Sequence, residues 1–324
     1  MRVLSGMQPS GRLHVGNLLG ALDNWRNLQE DHECFFFVAD WHALSTNYED
    51  TKQVKEFVHE MLIDWLAAGI RPEKATIFVQ SHVPQHAILH LLLSMITPIP
   101  WLERNPTYKE KQEQIEGRDL STFGFLGYPV LQAADILLYK AEGVPVGKDQ
   151  LPHLELTREI GRRFNGLYRH VFPEPKELLT EFPKVIGTDG RKMSKSYGNT
   201  LNLSDTEPVL RQKLKTMVTD PARVRRHDPG NPEICGVFDL HKIYSKQDII
   251  QQVDQDCRTA AIGCIDCKKL VSDAMVERLS TIWESRRMLE ANPTRIVEVV
   301  EQGRARASQI SQLTLDEVKE AMKI

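Results

Sequence analysis

No apolar run in this chain reaches the ~18–20 residues that a membrane-spanning helix requires, so no helical span is expected. The opening Arg2-Val3-Leu4-Ser5-Gly6 carries no signal-peptide pattern, which makes the cytoplasm the expected compartment. Neither a fixed-period repeat nor a low-complexity tract is present, which excludes a solenoid or a disordered linker protein. A strong charge of one sign is also missing: the net charge of −3 excludes a histone-like polycation, though not local basic patches. Two common nucleotide signatures are absent from the first strand-to-helix turn. There is no G-x-G-x-x-G, and no Lys-Ser or Lys-Thr follows its second glycine as a P-loop would require. Cysteine is scarce, with five residues in 324. Cys34 precedes the apolar Phe35-Phe36-Phe37-Val38 and reads as packed core; the other four fall between positions 235 and 267.

What is present is an ordinary globular composition, 41% hydrophobic and 26% charged, in a chain long enough for one large or two medium domains. Strand patterns over Arg2 to Leu4, Phe35 to Ala39, Ala75 to Gln80 and Val144 to Gly147 alternate with helix patterns over Asn17 to Gln29 and residues 51–68. Alternation of this kind predicts βαβ units and a doubly wound parallel sheet, an α/β Rossmann-like fold. Ligands on such sheets bind beyond the strands' carboxyl ends. Gly6, Gln8, Asp40, His42, Gln80, Ser81, Gly147 and Asp149 are therefore expected to meet in one crevice. Residues 85–125 read as a helical insertion. After Ser204 the pattern is nearly all helical, broken by a Pro/Gly-rich loop around 220–233 and by Pro293. Five basic clusters lie in that half (Arg211, Lys213 and Lys215; Arg223, Arg225 and Arg226; Lys268 and Lys269; Arg286 and Arg287; Arg304 and Arg306). Any one of them reads as a solvated helix face; together they suggest a surface that meets a polyanion.

Two segments carry phosphate chemistry. In Pro9-Ser10-Gly11-Arg12-Leu13-His14-Val15-Gly16-Asn17, Gly11 and Gly16 allow close approach of backbone to phosphate. The following helix start offers free N–H groups, with Asn17 as a candidate N-cap, and His14 can donate to a phosphate oxygen. In Lys192-Met193-Ser194-Lys195-Ser196, two ammonium groups on a Ser-bearing loop can neutralise charge developing on β- and γ-phosphates. Each segment alone could be a solvated turn. In this order they point to ATP used to activate a carboxylate.

These segments resemble the HIGH-like and KMSKS motifs of class I aminoacyl-tRNA synthetases. The likeness extends to Ala133-Ala134-Asp135-Ile136-Leu137-Leu138-Tyr139, Val144-Pro145-Val146-Gly147-Lys148-Asp149-Gln150 and His153-Leu154-Glu155-Leu156-Thr157-Arg158. It is closest to the tryptophanyl-tRNA synthetase branch and covers residues 1–220. The resemblance implies a Rossmann-like catalytic domain over 1–185, a KMSKS loop over 186–200 and a mainly helical tRNA anticodon-binding region over 201–324. It implies His14, Lys192 and Lys195 as catalytic. It places ATP, arriving with Mg²⁺, on Gln8, Pro9, Ser10, Gly16, Asn17, Gly147, Lys148, Asp149, Gln150, Ile186, Lys192, Met193, Ser194, Lys195 and Ser196. It further implies tRNA(Trp) as partner and a homodimer.

Tryptophan's indole nitrogen only donates, so a selective pocket needs a buried acceptor among apolar walls. Asp135, in an otherwise apolar stretch, fits; a structural N-cap or ion-paired Asp is the alternative. The resemblance makes Asp135 the indole reader and implies that Gly6, Gln8, His42, Tyr128, Gln132, Val144 and Val146 line the pocket. Leu4 and Gln132 depart from the branch, standing where many relatives have an aromatic residue and Met. The Tyr128 to Asp135 stretch is also similar to tyrosyl-tRNA synthetases. A tyrosyl enzyme, a non-catalytic RNA-binding paralogue and a nucleotidylyltransferase stand as alternatives.

Cys235, Cys257, Cys264 and Cys267 give C-x21-C-x6-C-x2-C. Disulfides are disfavoured in a cytosolic enzyme, which leaves a four-thiolate metal site. Structural zinc usually uses two C-x2-C knuckles and only one is present, so a [4Fe–4S] cluster is expected first and Zn²⁺ second. A subset of tryptophanyl-tRNA synthetases resembles this chain here and carries such a cluster.

Overall fold

The computed structural model describes residues 1–105, 120–179 and 185–324. Its centre is a five-stranded parallel sheet of β1 (Arg2–Met7), β2 (Glu33–Val38), β3 (Ala75–Val79), β4 (Gly143–Val146) and β5 (Lys176–Leu179), ordered β3-β2-β1-β4-β5. Side chains alternate across a strand. Val3, Phe36 and Val38 accordingly enter one core while Leu4, Phe35 and Phe37 enter another on the opposite face. Burial on both faces is why these strands read as unbroken apolar runs. On the first face Trp25 stacks on Phe36 at 4.4 Å and meets Trp65 edge-on at 4.9 Å. The fifth strand was not expected from sequence. Lys176 and Glu177 are exposed on the sheet edge, and a polar edge strand carries no apolar run.

The helices that matter for the site are α1 (Val15–Asn17), α2 (Asp23–Asp31), α3 (Asp40–Asn47), α4 (Val54–Ala67), α5 (Gln85–Ser94), α6 (Ile99–Glu103), α7 (Phe123–Leu138) and α8 (Leu151–Leu167). A wider-turned π-helical stretch, Leu18–Leu22, joins α1 to α2. The insertion expected over 85–125 begins with α5 and α6; residues 106–119 of it lie outside the described residues. The later half of the chain is helical: α9 (Glu207–Thr216), α10 (Gly236–Tyr244), α11 (Gln247–Arg258), α12 (Cys264–Glu290) and α13 (Pro293–Met322). Among the described residues no helix is long and apolar enough to cross a membrane.

The last helix does not stay with its helical neighbours. It returns to the sheet and lies along the edge strand β3, covering an edge that would otherwise be open to pairing. Ile296, Val299 and Val300 join the first core; Ala307, Leu315 and Val318 join the second.

Several of the late basic residues are engaged inside the fold. Arg286 is buried against Glu60 and Asp64, and Arg223 binds the carbonyls of Arg226 and Ile262. Arg211 pairs with Glu207 and Asp273, Lys213 with Asp205, and Arg306 with Glu33. Lys215, Arg225, Lys269 and Arg287 remain exposed.

Candidate active site

Strand order reverses between β1 and β4, and this is where an open parallel sheet forms a crevice beyond its carboxyl ends. Gly6 from β1 and Val146 from β4 both line it. A cavity of about 230 Å³ sits there, lined among others by Gly6, Gln8, His42, Tyr128, Gln132, Asp135, Val144 and Val146. These are all eight residues expected around the amino acid. Leu4, Phe37, Ala39 and Ile136 also line it, none of them among the residues expected around the amino acid. A Cβ on Gly6 would lie 2.4 Å from the Phe37 ring, so glycine is what lets that ring form the cavity wall.

Asp135 lies inside the 16-residue helix α7 and is 1% exposed, which excludes the N-cap alternative. Its carboxylate is held by three side chains. His42 Nε2 is 2.7 Å from Oδ2, and His86 Nδ1 is 2.6 Å from Oδ1. Gln80 Nε2 donates to Oδ1 at 2.8 Å. Burial pushes the carboxyl upward, but hydrogen bonds and charge from His42 and His86 outweigh it and hold Asp135 well below the usual carboxylate range. His86 Nε2 in turn lies 2.8 Å from Tyr139 Oη, within hydrogen-bond distance. An ionised carboxylate offers about four acceptor sites. With three filled, one on Oδ2 is left. Sequence reasoning missed His86, which no motif marks; Gln80 was placed in the crevice but is buried behind the carboxylate instead. Asp40 and Ser81 serve the loops rather than the cavity: Asp40 Oδ1 accepts from the Ser81 backbone at 3.0 Å.

The cavity opens into a larger cleft of about 1400 Å³, and the two share Ser5, Gly6, Gln8, Pro145, Val146 and Gln150. Ser10, His14, Gly16, Asn17, Gly147, Asp149, Lys192, Met193, Ser194, Lys195 and Ser196 also line the cleft. Pro9, Lys148 and Ile186 do not. Pro9 is buried, Lys148 points to solvent, and Ile186 bridges backbone-to-backbone with Lys192 at the loop's base. Asn24 and Trp25 line the cleft without having been expected.

The two motif segments are joined directly. Val15 N donates to Leu201 O at 3.0 Å and Leu203 N to Leu13 O at 2.9 Å, with an antiparallel bridge between His14 and Asn202. The N-cap of α1 is His14 rather than Asn17. His14 Nδ1 accepts from Gly16 N at 3.1 Å, while Asn17 Oδ1 accepts from His14 N at 3.0 Å, a reciprocal capping box. Desolvation, with Lys195 nearby, lowers the His14 pKa to about 4. The ring is therefore neutral at pH 7, and with Nδ1 accepting, its proton sits on Nε2 as a donor. Lys195 Nζ reaches across to Gly11 O at 3.0 Å and Ser10 Oγ at 3.4 Å. Burial lowers its pKa to about 8. Asn199, 2% exposed, ties the loop down: Oδ1 accepts from Ser194 N, and Nδ2 donates to Asp189 and to Lys192 O.

The four late cysteines are brought to one place. Cys235 caps α10, Cys257 lies in the last turn of α11, and Cys264 and Cys267 open α12. Cys235, Cys257 and Cys264 each act electrostatically on Cys267, whose thiol burial and those neighbours push up to about 12. Arg223 Nη1 is 3.7 Å from Cys257 Sγ and His241 Nε2 is 3.5 Å from Cys267 Sγ. Gly230 leaves room for Cys257, whose Sγ would lie 2.6 Å from a Cβ there. All four are free thiols. Among the described residues no three His, Cys, Asp or Glu side chains are arranged to chelate a single ion.

Residues 1–280 match the family described as tRNA synthetases class I (W and Y). Over its full length the chain is 54% identical to the tryptophan–tRNA ligase of Thermotoga maritima, 99% of which is covered, and 44% identical to that of Aquifex aeolicus, covered in full. Among solved structures, tryptophanyl-tRNA synthetase from Campylobacter jejuni complexed with ADP and tryptophan superposes with a TM-score of 0.91 at 33% identity, with both chains fully covered. The chain therefore belongs to the class I tRNA synthetases of the tryptophan and tyrosine family and, within them, to the tryptophan–tRNA ligases.

Proposed function

We propose that the switch-point cavity takes L-tryptophan and the adjoining cleft takes ATP, so that the tryptophan carboxylate attacks the α-phosphorus, the bond to the β-phosphate oxygen breaks, and tryptophanyl-adenylate and pyrophosphate form. The 2′-OH of the tRNA's terminal adenosine then attacks the acyl carbon, the mixed-anhydride bond breaks, and the aminoacyl ester and AMP form. The observation that carries this reading is the single open acceptor site on Asp135 Oδ2 at the base of an apolar cavity that opens onto paired phosphate-binding segments. Indole N–H fills that acceptor. His14 Nε2–H and the Lys192 and Lys195 ammonium groups stabilise phosphate charge as it develops, so the chemistry is positioning and electrostatics without a covalent enzyme intermediate. Mg²⁺ enters with ATP, bound chiefly by its phosphates.

ATP–pyrophosphate exchange tests this. Tryptophan is expected to support it and tyrosine is not. Lys195→Ala is expected to lower the rate about 10²–10³-fold, the cost of losing one preorganised charge donor; a rate within threefold of wild type would remove Lys195 from that role. Because Lys195 acts as the protonated ammonium and its pKa is depressed to about 8, kcat/KM for ATP should fall as pH rises through about 8. Lys195→Arg should move that alkaline limb out of range.

The helical region over 201–324 is proposed to read the tRNA(Trp) anticodon, with the exposed Lys215, Arg225 and Arg287 facing solvent where they can meet phosphate. A second copy of the chain is proposed to cover the exposed apolar side chains of Leu91 in α5, Met95 just after it, Ile99 of α6 and Phe123 of α7, which are 54–75% exposed. A [4Fe–4S] cluster on Cys235, Cys257, Cys264 and Cys267 is proposed from the four-thiol spacing and from the gathering of the other three cysteines around Cys267. When bound, it would supply a rigid cross-link between α10, α11 and α12 and no redox step. Reduced thiols of this kind fit the cytoplasm. Anaerobic purification followed by metal and sulfide analysis should return about four iron and four sulfide per chain; stoichiometric zinc without sulfide would replace the cluster with zinc.

A further inference from the structure

Two residues at the end of α7 take hold of one imidazole. Asp135 and Tyr139 are four residues apart and so share a helix face, with Tyr139 as the C-cap. His86 of α5 lies between them. Its Nδ1 is 2.6 Å from Asp135 Oδ1 and its Nε2 is 2.8 Å from Tyr139 Oη. Both ring nitrogens are engaged, so the ring cannot turn without breaking a contact. His86 and Tyr139 are both 0% exposed. The rings of Phe37, Phe78 and Tyr139 surround the imidazole at centroid distances of 5.9, 5.9 and 5.4 Å, and Phe35 stacks on Tyr139 at 5.0 Å.

The Asp135 carboxylate is divided between two surroundings. Ionised, it can only accept. Oδ1 meets Gln80 and His86, neither of which lines the cavity, whereas Oδ2 meets His42, which does. The last torsion of an aspartate has broad wells and resists turning only weakly. The two donors on Oδ1 are therefore what keeps Oδ2 on the cavity side. Of these donors Gln80 is the less constrained, because its Oε1 is buried without a partner. His86 is held from behind, by Tyr139.

We propose that His86, locked by the Tyr139 hydroxyl, is the positioning residue that keeps Asp135 Oδ2 turned to the cavity, which makes Tyr139, though it does not line the cavity, a determinant of selectivity for an indole N–H. This rests on the reading of Asp135 as the indole's acceptor. The surroundings of the pair support it. A polar chain set in a layer of aromatic rings is costly unless its members are paired, and apolar side chains would fill the same space without that demand. The chain Tyr139–His86–Asp135 ends at the cavity, where its last oxygen is open.

The test uses the full chain as wild type, Tyr139→Phe, His86→Ala and the double variant. Active sites are counted by the adenylate burst. ATP–pyrophosphate exchange on the active fraction then gives kcat/KM for tryptophan and for the analogue in which sulfur replaces the indole N–H. Tyr139→Phe is expected to reduce the preference for tryptophan about tenfold, the scale of one hydrogen bond lost from a buried network, with KM for ATP unchanged. His86→Ala is expected to reduce it at least as far. The double variant should lose no more than His86→Ala alone, because Tyr139 acts through the ring. A merely structural role would lower the active fraction and leave the preference intact. A preference within twofold of wild type in Tyr139→Phe overturns the proposal, as does a double variant whose loss is the product of the two single losses. Tyr139→Phe keeps the ring and removes no charge, so it decides the matter should His86→Ala fail to fold. Asp135→Ala in parallel separates the two failures. An undiminished preference there overturns Asp135 as the reader, whereas a lost preference there beside an unaffected Tyr139→Phe overturns only the role of Tyr139 and His86.

Discussion

Asp135→Ala is expected to lower kcat/KM for tryptophan activation by about 10³-fold or more. Two losses add. The indole N–H would be buried with no acceptor, a penalty of about 1–3 kcal/mol. His42 Nε2, His86 Nδ1 and Gln80 Nε2 would lose the oxygen they share, so the cavity floor would no longer be held in register. Sites built to hydrogen-bond a substrate group discriminate by about 10⁴–10⁵ against analogues that lack it, which sets the scale. The sharpest measurement pairs the variant with a tryptophan analogue in which sulfur replaces the indole N–H. The wild-type enzyme should reject the analogue strongly. Asp135→Ala should treat the two amino acids nearly alike, because the acceptor that tells them apart is gone. Undiminished discrimination in the variant would show that another group reads the indole.

Gly303→Ala is expected to be the most destabilising single-atom-scale change in the chain. Alanine is worth about 1 kcal/mol over glycine in a helix interior, and Gly303 lies well inside α13. Here that gain is overwhelmed. A Cβ at 303 would lie 1.7 Å from the carbonyl oxygen of Ile77 and 2.6 Å from its carbon. Those are backbone atoms in the middle of β3, so no rotamer relieves the contact; the helix must lift off the strand. Overpacking costs about 1–3 kcal/mol even where side chains can adjust, and a loss of about 3 kcal/mol or more is expected here. Lifting α13 would also loosen Val299 and Val300 on one core and Ala307 on the other. Gly166→Ala in α8 is the control, since nothing lies within 4 Å of its Cβ position. It should leave stability unchanged or raise it slightly. Denaturant midpoints of the two variants give the comparison, and equal midpoints would mean that the helix–strand contact is not as close as described.

Much of the site was legible because its residues carry chemistry that few other settings require. Lys192 to Ser196 and the His14 segment, neither decisive alone, point to phosphate when taken together and in that order. Asp135 stands out as a charge within an apolar helix. Phe35 to Val38 reads as a buried strand because apolar residues fill both faces. Where sequence reasoning stopped, the missing information was a partner distant in the chain. His86 reads as an ordinary helical histidine until Asp135 and Tyr139 are seen on either side of it. Asn199 reads as a loop residue until its amide is found satisfying Ser194, Asp189 and Lys192 together. Arg286 reads as one charge in a basic cluster, and the fold buries it. His14 displaced Asn17 as the helix cap because the backbone dihedrals at residue 14, extended at −121° and 170°, turn its ring back onto the first helical N–H groups.

By itself the sequence determined the class of fold and singled out the segments and residues proposed here for phosphate, indole and a metal group, since each depends on residue type and near spacing. The tertiary structure alone decided how those parts are held: the His42–Asp135–His86 network, the pairing of residues 13–15 with 201–203, the hydrogen bond of Trp283 to Leu203 and the return of α13 to the edge of the sheet. The reason is physical. Local composition sets what a group can do, but the direction of a hydrogen bond and the desolvation of a charge depend on atoms that meet only when segments far apart in the chain pack together.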